Sequence, residues 1–273
     1  MAFVTQVTAI GWRAHAALTA SAGRARMIAP LSASCYAEAA GELIWVGSSG
    51  SELHPRAVLV ESPPLNAGDI TIDPSGTAPW RPPSYDRDVD ATRNGALVLR
   101  RELLALGAPR GLAQLFVGSG DGDPVLVRAR PFVRRLACAA VSNDAAWAID
   151  AARPLLGLGE GLTPSGDDFV GGVLFARHSL AAAESYGGDA AVRGLLAAAQ
   201  SLTHPVSARL LADLAAGEGW APLHDLTAAL ATRQPAHAMV AAKRLTGIGH
   251  SSGWDLLAGL LSGLLPIEAL RTV

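Results

Sequence analysis

The chain is predicted to be an α+β protein: a small β-rich N-terminal part, residues 1–90, packed on a larger all-helical C-terminal domain, residues 91–273. Three observations carry that expectation. The first 90 residues hold short apolar, β-branched runs bounded by Gly, Ser, Pro and Asn. A proline-rich stretch, 77–84, then interrupts the chain. Beyond it apolar residues recur at helical spacing between Gly and Pro punctuation. A length of 273 residues supports one large domain or two modest ones, each with a real core.

In the N-terminal part, 44–46, 57–61 and 70–73 read as strands, the last closed by Pro74. Pro79, Trp80, Pro82 and Pro83 make 77–84 a stiff linker or extended strap, and the domain boundary falls near it. Residues 94–106 follow as a helix that stops at Gly107 and Pro109. The cluster from Gly118 to Pro124 reads as a plain turn: Asp121 and Asp123 lack the later glutamate of a calcium loop. One or two helices are predicted over 131–156, then further helices over 187–202, 204–217, 222–232, 236–246 and 253–264.

Composition narrows the function classes. Half the residues are hydrophobic and 17% are charged, so a globular, helix-rich protein is expected. A net charge of −2 gives no basic field, which argues against nucleic acid or an anionic membrane as partner. Lys243 is the lone lysine, so lysine chemistry has no other place in the chain. The two cysteines, Cys35 and Cys138, lack metal-like spacing, and with no signal-peptide pattern a cytoplasmic protein is expected. The apolar stretches 195–199 and 226–231 suggest surfaces that an assembly, including one of identical copies, would cover.

One stretch organises the helical half. Residues 156–172 run from a loop with Gly157, Gly159 and Gly161, through Pro164, into an apolar segment headed by Ser165-Gly166-Asp167-Asp168. This reads as a loop feeding a buried helix, capped by Thr163 or Ser165, with the aspartates in its first turn. Residues 249–261 repeat the pattern 87 positions later: Ser252-Gly253 matches Ser165-Gly166, Asp255 matches Asp168 and Gly259 matches Gly172. Two such helix starts can serve only as caps and packing faces, or can face one small anionic ligand together; the two readings are compatible.

The two stretches resemble the paired signatures of a bacterial family long catalogued as a domain of unknown function. That family includes the AllH-like subunit of oxamate carbamoyltransferase in anaerobic allantoin breakdown. The similarity extends through the helical half, including 203–209 and 222–226, and is less diagnostic in the N-terminal third. It implies a subunit of a carbamoyltransferase-type enzyme that works with other subunits on a small anionic substrate.

A carbamoyl-transfer site needs donors for phosphate, a positive clamp for a carboxylate and an acid/base group near the amide nitrogen. On that implication the backbone at Gly159, Gly161, Gly166 and Gly253, with the hydroxyls of Thr163, Ser165, Ser251 and Ser252, supplies donors. Arg209 is the first candidate clamp and Arg244 the second. His250 is the acid/base candidate, Asp167 and Asp168 are catalytic candidates that orient groups in the site, and Asp255 is counted with the anion-binding residues. No metal ligands and no cofactor are expected, magnesium beside the Asp pair being the one ion considered. The alternatives are an Asp-pair, metal-dependent phosphate-handling enzyme and a non-catalytic structural subunit whose glycines serve helix packing. A Walker A pattern is absent from the sequence.

Overall fold

The computed structural model describes residues 4–65, 68–118, 122–142, 145–180 and 190–270. They form two units, Met1–Pro83 and Ser84–Val273, divided within the proline-rich stretch. The fold is α+β.

The N-terminal unit is one sheet built from β1 (Val4–Thr5), β2 (Val7–Gly11), β3 (Arg24–Pro30), β4 (Cys35–Ala39), β5 (Glu42–Ser48), β6 (Ala57–Val60), β7 (Asp69–Ile72) and β8 (Pro79–Trp80). The strand order is β1-β7-β3-β4-β5-β6-β2-β8. β1 and β2 are nearly continuous in sequence, yet β1 pairs with β7 and β2 pairs with β6, so the sheet must curl. Pro79 and Trp80, expected in a linker or strap, pair with the β2 edge. One helix, α1 (Trp12–Ala20), interrupts the strands and buries Ala14, Ala17 and Leu18. Its first turn is tied by Arg13 N–H and Ala14 N–H, both donated to the Pro55 carbonyl at 2.9 and 3.0 Å. Ile10, Leu18, Ile44, Val46, Val58, Ile70 and Ile72 fill this unit's core. Burial pushes the Cys35 thiol up to about 11, so it behaves as a small hydrophobe.

The helical unit opens with α2 (Val89–Arg101), capped by Asp88 Oδ1, which accepts from Ala91 N–H at 2.9 Å. This start lies earlier than the expected 94, because the cap precedes the apolar periodicity. Two 3₁₀ helices follow, Leu103–Leu106 and Gly111–Phe116. Next come α3 (Pro124–Ser142), α4 (Ala145–Ala152) and a 3₁₀ turn, Arg153–Leu155. Asp123 caps α3 through Val125 N–H at 2.8 Å, and Asp121 lies outside the described residues. α3 runs through Pro131 instead of starting there. Val127, whose carbonyl loses its helical donor to Pro131, is exposed to water.

The remaining helices are α5 (Ser165–Leu180), α6 (Ala190–Leu202), α7 (Pro205–Ala215), α8 (Ala221–Ala231), α9 (Pro235–Thr246), α10 (Ser252–Leu264) and α11 (Ile267–Leu270). The expected start of α6 at 187–189 lies outside the described residues. Pro205 and Pro235 open α7 and α9 at the first helical position, where a missing N–H costs nothing. α5 and α10 are buried nearly all round, as their unbroken apolar composition demands, and the other helices wrap them. Leu195, Ala199, Leu226 and Leu230 are buried within this unit, so 195–199 and 226–231 turn their main apolar residues inward.

Candidate active site at the joined starts of α5 and α10

α5 and α10 cross at their matching glycines. A Cβ added at Gly172 would lie 2.4 Å from the Leu256 carbonyl oxygen, and one at Gly259 would lie 2.1 Å from that of Phe169. Phe169 corresponds to Leu256 in the 87-residue offset, so the contact is reciprocal, as across a two-fold axis. The loops entering the helices correspond as well. Gly166 N–H donates to Leu158 O at 2.9 Å and Gly253 N–H to Ile248 O at 3.1 Å. A Cβ at Gly166 or Gly253 would sit within 2 Å of the Leu155 or Leu245 carbonyl oxygen (1.9 and 1.8 Å). The sequence repeat is therefore a structural repeat.

This crossing brings the two helix starts together. Thr163 Oγ1 lies 3.2 Å from Ser252 Oγ, and Ser165 Oγ lies 3.3 Å from Ser251 Oγ. The four hydroxyls are half-buried, and two buried carboxyls lie with them. The Ser252 and Thr163 hydroxyls face Asp168; those of Ser165 and Ser251 face Asp255. Each aspartate is thus served by the serine of the other helix. Oδ2 of Asp168 and Oδ2 of Asp255 lack a hydrogen-bond partner among the described residues.

The carboxyls hold protons unusually well. Burial, then the nearby charge of Asp255, pushes Asp168 well above the ordinary range, against the Ser252 hydroxyl. Burial raises Asp255 to about 7, opposed by Leu112 N–H and the Ser165 and Ser251 hydroxyls. The two lie close enough to interact, so their protons titrate as those of one pair. Two carboxyls with a raised hold on protons therefore stand side by side.

Asp167 has a different setting. Its Oδ1 accepts from Gly157 N–H at 2.8 Å, and its Oδ2 accepts from Ser207 Oγ at 2.6 Å and from Thr203 Oγ1. Burial raises its pKa, while Ser207, Thr203 and Gly157 favour its charged form. This carboxylate clasps the glycine loop to the α6–α7 corner. Gly157 has φ +72°, and a Cβ there would lie 2.3 Å from the Leu202 carbonyl oxygen. Gly159 has φ +121° and covers Ser165 N at 2.8 Å from its would-be Cβ; Gly161, with φ +88°, faces open space.

Several helix-start N–H groups are occupied. Those of Asp167 and Asp168 go to Pro164 O at 2.9 and 3.2 Å, and that of Asp255 goes to Ser251 O at 2.9 Å. With Gly166 and Gly253 also engaged, the hydroxyls are the side-chain donors at hand for a ligand. His250 is exposed in the turn before α10. Arg209 sits half-buried on α7, two residues past Ser207. Arg244 instead forms an ion pair with Asp225 at 2.7 Å on the surface.

Sequence reasoning did not anticipate the segment 110–112. Leu112 N–H donates to Asp255 Oδ1 at 2.6 Å, and Gly111 lies against the same carboxyl. Arg110 Nη1 donates to His250 O at 3.1 Å. These partners are 140 or more positions apart, so no local pattern could have paired them. An apolar cavity of about 510 Å³ opens between α2 and the α8–α9 turn, but no signature residue lines it. Among the described residues, no three or more His, Cys, Asp or Glu side chains are grouped to hold a metal, and no helix is long and apolar enough to cross a membrane.

Comparison with known families returns oxamate carbamoyltransferase subunit AllH, matched over residues 155–264. No curated protein and no solved structure gives a significant match. The matched segment begins at the loop that clasps Asp167 and ends at the last residue of α10. Both helix starts and their crossing lie inside the segment, residues 155–264, that is similar to the AllH family.

Proposed function

We propose that the chain is a subunit of a carbamoyltransferase-type enzyme and that its reacting groups gather where α5 and α10 begin. The observation that carries this is the pair of buried carboxyls, Asp168 and Asp255, beneath four hydroxyls inside the AllH-like segment. The substrates are phosphate and a small carboxylate bearing a carbamoyl group on an amide nitrogen, as in carbamoylated oxamate.

In the degradative direction a phosphate oxygen bonds to the carbamoyl carbon and the bond from that carbon to the oxamate nitrogen breaks. Asp255, as carboxylate, receives the proton of hydrogen phosphate through Ser165 or Ser251. Asp168, protonated, supplies the proton that the departing nitrogen needs through Ser252 or Thr163. Carbamoyl phosphate and oxamate leave. The next turnover requires the proton to return from Asp255 to Asp168, a short transfer within one coupled pair. Asp167 has no step here; it fixes the loop. His250, exposed at the rim, is placed for contact with the substrate's outer end.

A second reading has its own support. The close contacts at Gly166, Gly172, Gly253 and Gly259 account for those motif glycines by packing alone, as in a structural subunit. Reconstitution with the neighbouring gene products separates the two. The assembly should release carbamoyl phosphate in a phosphate-dependent reaction, and the chain alone should be nearly inactive. The double variant Ser165→Ala/Ser252→Ala should assemble normally and lose about a hundredfold or more in rate. An unchanged rate favours the structural subunit, and full activity from the isolated chain overturns the subunit reading.

A further inference from the structure

We propose that Arg110, outside the segment matched to the family, is the oxyanion clamp of the α5–α10 site and grips the carboxylate or phosphate oxygens of its small substrate. This rests on the reading of that site as the place where substrate binds.

The segment carrying Arg110 is built onto the site. Gly111 has φ +52°, and a Cβ there would lie 2.2 Å from Asp255 Oδ1, so only glycine lets the backbone come this close. The next residue uses that approach to donate Leu112 N–H to the same oxygen. At the far end of this 3₁₀ helix, Phe116 stacks on Phe169 of α5 with ring centroids 6.3 Å apart. One end is thereby fixed to α10 and the other to α5.

Held at this root, Arg110 turns its guanidinium to the signature loop and donates Nη1–H to His250 O. That carbonyl immediately precedes Ser251 and Ser252, so the cation stands at the rim of the hydroxyl cluster. A guanidinium has five N–H donors in a planar fork, and the His250 bond employs one nitrogen. The side chain is exposed, and among the described residues it has no carboxylate partner. The site needs such a charge. The N–H groups of Gly166, Asp167, Asp168, Gly253 and Asp255 are engaged by backbone carbonyls, and the buried groups beside the hydroxyls are acids, so an oxyanion there gains from a cation at the rim. Arg244 is already paired with Asp225.

The test is calorimetric titration of the full-length chain with inorganic phosphate and, separately, with oxamate. It is repeated on Arg110→Ala and Arg110→Lys and followed by kinetics in the reconstituted assembly. Arg110→Ala should weaken binding of one oxyanion by roughly ten- to a hundredfold, with little change in melting temperature because the side chain is exposed. Arg110→Lys should recover part of the loss as a point charge without the fork. The oxyanion affected identifies the group gripped. In the assembly the loss should fall on KM for that substrate more than on kcat. Gly111→Ala should weaken the same binding by displacing the segment. Equal affinity in wild type and Arg110→Ala, or no binding of either oxyanion to wild type, overturns the clamp. Arg110-dependent binding in an assembly that transfers no carbamoyl group would instead keep the clamp and overturn the proposed reaction.

Discussion

The starts of α5 and α10 share one backbone plan and differ in what holds each aspartate. Both loops close on a glycine N–H, both helices offer a serine to the other's aspartate, and both yield a glycine at the crossing. The anchors are unequal. α5 carries Asp167, clasped by Gly157, Thr203 and Ser207, where α10 carries the core residue Trp254. Asp255 in turn receives a backbone N–H from Leu112, a donor that Asp168 lacks among the described contacts. The extra donor favours the charged form of Asp255 and sets it apart from Asp168. A near-symmetric scaffold thus produces an asymmetric acid–base pair, because one short 3₁₀ helix is attached to one side only.

The most severe way to break this comparison is to neutralise each carboxyl in the reconstituted assembly. Asp255→Asn should lower kcat by about a hundredfold or more and abolish the rise of rate with pH near 7. Asp168→Asn should lose rate on a similar scale while the rise persists, because Asp255 still ionises. Rate–pH profiles of both variants decide it. If the two profiles coincide, the aspartates are equivalent and the asymmetry has no catalytic meaning.

How much of this was legible follows the range of the contacts involved. The strands over 44–46, 57–61 and 70–73 are β-branched runs between turn residues, and the structure places strands there. α1 escaped notice because it lies between strands, starts without a side-chain cap and is dominated by small residues; its first turn is tied instead to Pro55, 41 or 42 positions away. The pairing of the two signature helices was written in the sequence as a repeated pattern. What each residue does there was not. The N–H groups of Gly166, Asp167, Asp168, Gly253 and Asp255, expected to face an anion, are taken by backbone carbonyls, an arrangement set by loop conformation and not by residue type. Gly111 drew no reading of its own, since its reason for being glycine is a carboxyl supplied by Asp255.

A smaller effect should appear in stability against pH. The folded pKa of Asp255, about 7, lies above its unfolded value near 4, so the folded protein binds the extra proton. That contribution is complete below the unfolded pKa and is lost as pH rises toward 7. His224 acts in the opposite sense: burial lowers it to about 4, so its contribution grows as pH rises to about 6.5. The two overlap, and the wild-type curve alone does not isolate either. Asp255→Asn keeps an acceptor for Leu112 N–H and cannot ionise. The stability of this variant relative to wild type should therefore improve by roughly 3 kcal/mol between pH 5 and pH 8. Urea denaturation at the two pH values measures it, and a difference independent of pH would place Asp255 in a far wetter setting than the fold provides.

The mildest test addresses the symmetry of the scaffold. In a solvated helix, glycine to alanine gains up to about 1 kcal/mol, and Gly194 on α6, with nothing near its would-be Cβ, should show that gain. Gly172→Ala and Gly259→Ala should instead each lose roughly 2 kcal/mol, because the new methyl meets a carbonyl of the facing helix. The reciprocal contact predicts more than two similar losses. Once one alanine has forced the helices apart, the second finds space already made. The double variant should therefore lose clearly less than the two single losses added, a coupling that only neighbouring sites show. Additive losses would mean that each glycine is accommodated separately and that the crossing is not one shared contact.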